Sequence, residues 1–271
     1  NPMTDANLVR LLAAQTETQI GRIDIAAVQS GPAAIAARLS HCEATGDKHI
    51  IIDTLTPDDL LNIAQVVQHL PLLAGGSGLG GALAAIIPGT RNGIARNVFP
   101  SSRKTVILSG SCSSMTLRQV RAYQTRAAAL ALDIARCLSD EERYTDELTQ
   151  WAMSQVHAPL APLLFATLPP EQLTAIQQRY GDHVASQAVE RTFARLTQKL
   201  HLAGVNTFIV AGGETSGTVV ESLQVKRLTV GDAIAPGVPW VFTDDNSLSL
   251  ALKSGNFGDE DFFFKAQEYA Q

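Results

Sequence analysis

Apolar and polar positions alternate along this chain in blocks. Short uninterrupted apolar runs read as strands covered on both faces, and segments with apolar residues three and four apart read as helices. Leu8, Val9, Leu11 and Leu12 have helical spacing, with Thr4-Asp5 as the expected cap. Gln19 to Ile25 reads as a short strand and the alanine-rich Gly31 to Glu43 as a helix. His49-Ile50-Ile51-Ile52-Asp53 reads as a buried parallel strand ending in an aspartate. Thr56-Pro57-Asp58-Asp59 then starts a helix to about His69: a hydroxyl cap, proline at the first position, and acids on the positive end of the dipole. Leu70 to Ala74 is a further short apolar run, followed by Gly75-Gly76-Ser77-Gly78.

Between Ile87 and Arg103 the pattern dissolves into turn chemistry: Pro88-Gly89, Asn92-Gly93 and Phe99-Pro100-Ser101-Ser102. A domain boundary is expected near residue 100. Beyond it the alternation restarts. Strands are expected at Thr105 to Leu108, Ala161 to Ala166, Thr207 to Val210, Arg227 to Val230, Trp240 to Thr243 and Leu248 to Leu252. Helices are expected at Thr116 to Arg126, Glu214 to Ser222 and Asp259 to Tyr269, with one long or two shorter ones over Glu171 to Leu202. The expectation is an α/β fold of two domains, with mainly parallel sheets flanked by helices and the first domain incomplete.

Three loops share one grammar, an apolar run that stops at small polar residues. The most informative is Thr207 to Ala211 followed by Gly212-Gly213-Glu214-Thr215-Ser216-Gly217. Glycines let backbone approach a ligand, and the first amides of the following helix are unpaired, so this is a common way to build an anion site. The plainer alternative is a tight turn in which glycine only relieves crowding. Ser109-Gly110-Ser111-Cys112-Ser113-Ser114 follows a second apolar run; its hydroxyls either bind phosphate or ribose, or merely cap the next helix. Lys253-Ser254-Gly255-Asn256-Phe257-Gly258 either brings a cation and flexible backbone to a polyphosphate, or is a solvated lysine beside an ordinary loop. Asp53, at a strand end, could hold a metal or a sugar hydroxyl or cap its turn; Gly76 and Ser77 could face substrate or permit close packing. Cys112 has no histidine nearby in sequence and reads as a small buried spacer.

Charge and composition narrow the function classes. The 45% hydrophobic and 17% charged content fits a soluble globular protein, and the net charge of -5 leaves no basic surplus for general nucleic-acid binding. Three scattered cysteines form neither a disulfide framework nor a metal pair, which fits a reducing cytoplasm. No leader is evident, and the longest apolar stretch, Leu70 to Ile87, is broken by five glycines and a serine, so no membrane span is expected. The six histidines show no ligand spacing. There is no P-loop, GxSxG elbow or HExxH helix. A nicotinamide dehydrogenase is a weak alternative, because no GxGxxG follows a strand with an acid at the expected distance.

Laid out in order, these motifs resemble the four-carbon acid sugar kinases, the family of the 3-oxo-tetronate, threonate and erythronate kinases. The resemblance runs the whole length. It rests on Asn1-Pro2-Met3-Thr4-Asp5-Ala6-Asn7-Leu8-Val9, Gly75 to Leu79, Ser109 to Ser113, Gly212 to Gly217, Pro236 to Trp240 and Leu252 to Gly258. It implies that residues 1–100 are the C-terminal portion of a sugar-acid-binding domain and residues 101–271 an ATP-binding domain. It places nucleotide contacts on Ser111, Gly212, Gly213, Glu214, Thr215 and Gly255, with Ser109 and Ser113 close neighbours of Ser111; the loop reading adds Lys253 and Asn256 as possible phosphate or substrate contacts. It implies ATP and Mg²⁺, a small sugar acid as partner, no nucleic acid, no membrane, and room for a homo-oligomer. Family members open with a strand and an Asp-Asp-x-Thr-Gly segment well before the Asn-Pro-Met-Thr-Asp stretch. The expectation is therefore the latter two thirds of a kinase, with much of the substrate pocket and the catalytic base in the absent part. A non-catalytic nucleotide- or metabolite-binding fragment is the rival.

Overall fold

The computed structural model describes residues 5–87, 99–100 and 102–268. The chain divides into two compact units, residues 1–92 and 93–271. The Asn1 to Thr4 part of the first motif, the Pro88-Gly89 and Asn92-Gly93 turns, Ser101 and Tyr269 lie outside the described residues.

The first unit contains α1 (Leu8–Ala13), β1 (Ile20–Ile23), α2 (Ile25–Gln29), α3 (Pro32–Thr45), β2 (His49–Ile52), α4 (Pro57–Val67) and α5 (Ser77–Ile86). The cap of α1 is Asn7, not Thr4-Asp5: the Asn7 side chain accepts from the amides of Val9 and Arg10. Asp5 instead accepts from the Asn7 amide and from Arg10. Strands β1 and β2 pair in parallel, with Ile23 opposite Ile52. Strand β2 is only half-buried, because β1–β2 is a two-stranded sheet among the described residues. The start of α4 follows its sequence signature. Thr56 and Asp59 form a reciprocal capping box, and Asp59 also accepts from the Leu55 amide. These donors hold its carboxyl below the usual carboxylate range. The Leu70–Ala74 run forms no strand. A core of Ile23, Val28, Ile35, Ile63 and Val67 holds this unit together.

The second unit contains β3 (Thr105–Ser109), α6 (Ser114–Gln124), β4 (Ala129–Ala131), α7 (Ile134–Ser139), α8 (Glu141–Gln155), β5 (Leu163–Phe165), α9 (Pro170–Tyr180), α10 (Asp182–Leu202), β6 (Thr207–Ala211), α11 (Gly213–Ser222), β7 (Thr229–Ala235), β8 (Val238–Phe242), β9 (Ser249–Lys253) and α12 (Phe262–Glu268). Its seven strands run in the order β4-β5-β3-β6-β9-β8-β7. The first five are parallel, and β8 and β7 add antiparallel at one edge. Side chains alternate between the faces. Val106, Leu108, Phe208, Val210 and Leu250 join a core with Leu148, Phe193 and Leu196 from α8 and α10. Ile107, Ile209 and Ala251 face the other way, onto Tyr123, Trp240 and Phe262 to Phe264. Burial on both faces explains the unbroken apolar runs of the central strands. From the first strand, β3, the chain builds β5 on one side and β6 on the other. This is a topological switch point, where α/β sheets open a crevice beyond the carboxyl ends of the strands.

Candidate functional site

The carboxyl ends of β3, β6 and β9 are stitched together at that switch point. The amides of Gly110 and Ser111 donate to the Ala211 carbonyl at 2.9 and 3.2 Å, and the Gly212 amide donates to the Lys253 carbonyl at 2.9 Å. The three glycine loops are thus one corner, built from neighbouring strand ends. Gly110 leaves room for Thr215: a Cβ at position 110 would stand 2.1 Å from the Thr215 hydroxyl, so one of the two would have to shift. Gly212 turns the chain from β6 into α11 at φ +132°, a conformation that favours glycine.

No side chain caps α11. The Ser216 amide returns to the Gly212 carbonyl at 2.9 Å, and among the described residues the amides of Gly213, Glu214 and Thr215 have no acceptor. These are the donors a helix start leaves for an anion. Gly213 and Glu214 are exposed, and a Cβ on Gly213 would meet nothing within 4 Å. Thr215 is different. Its side chain is buried, and its hydroxyl donates to Glu190 of α10 at 2.9 Å. Thr218, one turn on, donates to the other oxygen of the same carboxylate at 2.8 Å. Burial raises the Glu190 pKa against the lowering effect of both hydroxyls, and the charge of Glu214 adds to the rise.

A second knot joins the loops after β3 and β9. Ser113 caps α6, accepting from the Thr116 amide at 3.2 Å, and Ser111 accepts from the Ser113 amide at 3.2 Å. A Cβ on Gly255 would stand 2.6 Å from the Ser111 hydroxyl and 2.9 Å from that of Ser113. Lys253 is fully buried, so the solvated-lysine alternative is corrected: the strand end carries it into the interior among polar acceptors. Two residues of α6 tie the loop after β9 further: the Thr116 hydroxyl donates to the Gly255 carbonyl at 2.7 Å, and the Gln119 side-chain amide donates to the carbonyls of Phe257 and Asp259 at 3.1 and 2.7 Å.

The corner therefore unites Ser111, Ser113, Gly212 to Thr215, Lys253 and Gly255. Ser109 is beside it in sequence but turns its hydroxyl into the core, 2.8 Å from that of Thr167. The Asn256 side chain is exposed. Cys112 is half-buried rather than buried. Asp53, Gly76 and Ser77 belong to the first unit. Arg22 pairs with Asp53 at 2.5 Å across the ends of β1 and β2, while Gly76 and Ser77 start α5 without a preceding strand. Among the described residues no three His, Cys, Asp or Glu side chains are grouped to hold a metal ion. Glu190, Thr116 and Thr218 escaped sequence reasoning. Thr116 had a weak signal, three residues after a serine cap, whereas Glu190 had none.

Residues 106–263 match a nucleotide-binding C-terminal domain and residues 1–83 a sugar-binding N-terminal domain. A 3-oxo-tetronate kinase of Actinobacillus succinogenes is 46% identical over 271 residues, covering 100% of this chain. The chain belongs to the four-carbon acid sugar kinase family. It spans 64% of the length of that relative. A 3-oxo-tetronate kinase of Salmonella typhimurium is 45% identical over all of this chain and 65% of its own length. A solved structure from Salmonella typhimurium LT2, described as a candidate tRNA synthase, matches with a TM-score of 0.79 at 43% identity, over 98% of this chain and 64% of that one. In this family's chain the nucleotide-binding match contains the whole β3–β6–β9 corner. Among the described residues no helix is long and apolar enough to cross a membrane.

Proposed function

We propose that this chain carries the ATP site of a kinase that transfers the γ-phosphate to the terminal hydroxyl of a four-carbon sugar acid of the 3-oxo-tetronate, threonate or erythronate type. One observation carries the nucleotide site: the acceptor-free amides of Gly213, Glu214 and Thr215 stand at the switch point of a parallel sheet. That relatives at 45–46% identity are 3-oxo-tetronate kinases supports the acceptor class.

Phosphoryl transfer is mostly positioning and charge neutralisation. The α11 amides hold phosphate oxygens, aided by the helix dipole at roughly 0.3–1 kcal/mol for each exposed contact. Thr215 contributes its amide, since its hydroxyl is engaged by Glu190. Ser111 and Ser113 line the neighbouring loop. Both oxygens of Glu190 are taken by threonine hydroxyls, so exposed Glu214 is the carboxylate of this corner that fits a magnesium ion. Magnesium commonly binds through one or two carboxylates plus substrate phosphates, whose charge it neutralises.

Calorimetry with ADP and Mg²⁺ tests the site. Gly213→Val fills open space, so it should preserve folding and weaken binding by at least about tenfold, or ~1.4 kcal/mol. Unchanged binding removes the site. A second reading is favoured by the chain's 64% coverage of its relative: a nucleotide-binding part without turnover of its own. A coupled assay with D-threonate, D-erythronate and 3-oxo-tetronates separates the two, because that reading predicts binding without phosphorylated product.

A further inference from the structure

Lys253 ends β9 with its side chain at 0% exposure. A buried ammonium needs acceptors for its three hydrogens. It finds three: the Thr116 hydroxyl at 2.9 Å, the Gly255 carbonyl at 2.9 Å and the Ser254 carbonyl at 3.2 Å. The Thr116 hydroxyl also accepts from Ser113 at 3.1 Å and donates to the Gly255 carbonyl, so the Gly255 carbonyl is held twice. Burial alone pushes the Lys253 pKa down to about 8. An ammonium with all three hydrogens engaged has none left for a phosphate.

The backbone consequence is specific. A trans peptide sets its carbonyl and its N–H on opposite sides of the chain. Gathering the carbonyls of Ser254 and Gly255 onto one ammonium therefore turns the N–H groups of Gly255 and Asn256 away from it. Neither amide donates to a described residue, whereas the next one, Phe257, returns to the Ser254 carbonyl at 3.3 Å. The loop thus offers two unpaired amides in succession, beside Ser111 and Ser113. Successive outward amides form an anion-binding concavity.

We infer that Lys253 is a positioning residue rather than a phosphate ligand: its buried ammonium, with Thr116, fixes Ser254 to Asn256 so that the amides of Gly255 and Asn256 serve as anion donors alongside those of α11. This rests on the nucleotide site proposed above. It moves the proposed role of residues 253–256 in this chain from side-chain charge to backbone.

Two measurements test it on the 271-residue chain. The first is a double-mutant cycle in Mg-ADP affinity, with Lys253→Met, Thr116→Val and both together. Lys253→Met should weaken binding about tenfold and Thr116→Val about threefold. The pair should fall well short of the roughly thirtyfold product, because both act through one carbonyl cluster. Additivity within about twofold, or unchanged binding in Lys253→Met, overturns the inference. The second is hydrogen exchange, without nucleotide, at the Phe257 amide, which is bonded to the Ser254 carbonyl that Lys253 holds. It should quicken in Lys253→Met, while exchange in β3 and β6 stays as in the parent. Unchanged exchange in the loop overturns the positioning role whatever the nucleotide result. If the parent fails to bind Mg-ADP, the nucleotide site falls, and the exchange result still decides whether Lys253 holds the loop.

Discussion

Two glycine-rich helix starts in this chain look alike on paper and are built differently. In the first unit, Gly75-Gly76-Ser77-Gly78 leads into α5 from residues that form no strand, and α5 buries only Ala82 of its ten residues. In the second unit, Gly212 follows five fully buried strand residues, and its neighbours are fixed from three directions. Gly110 packs against Thr215, the Gly212 amide is tied to β9, and Glu190 holds the α11 hydroxyls. A helix start is preorganised for an anion when its backbone is fixed without consuming its first amides. Parallel strands and a buried carboxylate do this at α11. At α5 a Cβ on Gly76 would meet nothing within 4 Å.

The largest break in that contrast is Gly110→Ala. Its new methyl would stand 2.1 Å from the Thr215 hydroxyl, so α11 or the β3 loop must shift. Chemical denaturation should show a loss of about 3 kcal/mol, the upper part of the range for overpacking. Next is Glu190→Ala, which leaves the hydroxyls of Thr215 and Thr218 without their acceptor. A loss of about 1–3 kcal/mol is expected.

A smaller effect comes from pH. Burial raises the Glu190 pKa above its unfolded value, so the folded state holds that proton more tightly. The resulting stability is present at low pH and is lost as pH rises from the ordinary glutamate value of about 4.3 through the raised one. The stability of the parent minus that of Glu190→Gln should fall across that window. A flat difference would mean that the carboxylate is better solvated than its surroundings indicate. The smallest effect is Gly76→Ala, expected within about 0.5 kcal/mol of the parent. A large loss there would erase the contrast between the two helix starts.

Much of the second unit was legible because local pattern and tertiary role coincide. The apolar runs at 105–108, 207–210 and 248–252 are β3, β6 and β9, and the small residues after each form the corner. Signals failed where only distant contacts decide. Leu70 to Ala74 is apolar enough for a strand, yet nothing pairs it among the described residues. Glu190 is one polar residue in a long helix, and its partners lie 25 and 28 positions away. Lys253 and Thr116 meet across 137 residues, so a lysine that reads as solvated in its alternative reading is instead buried against its own loop. Thr4-Asp5 and Asn7 are both capping residues, and only the chain's path selects Asn7.

A crystal of this chain soaked with ADP and Mg²⁺ would show whether the start of α11 holds the phosphates. A phosphate oxygen is expected within hydrogen-bonding distance, roughly 2.7–3.2 Å, of the Gly213 and Glu214 amides. Nucleotide density elsewhere, with those amides facing only water, would contradict it.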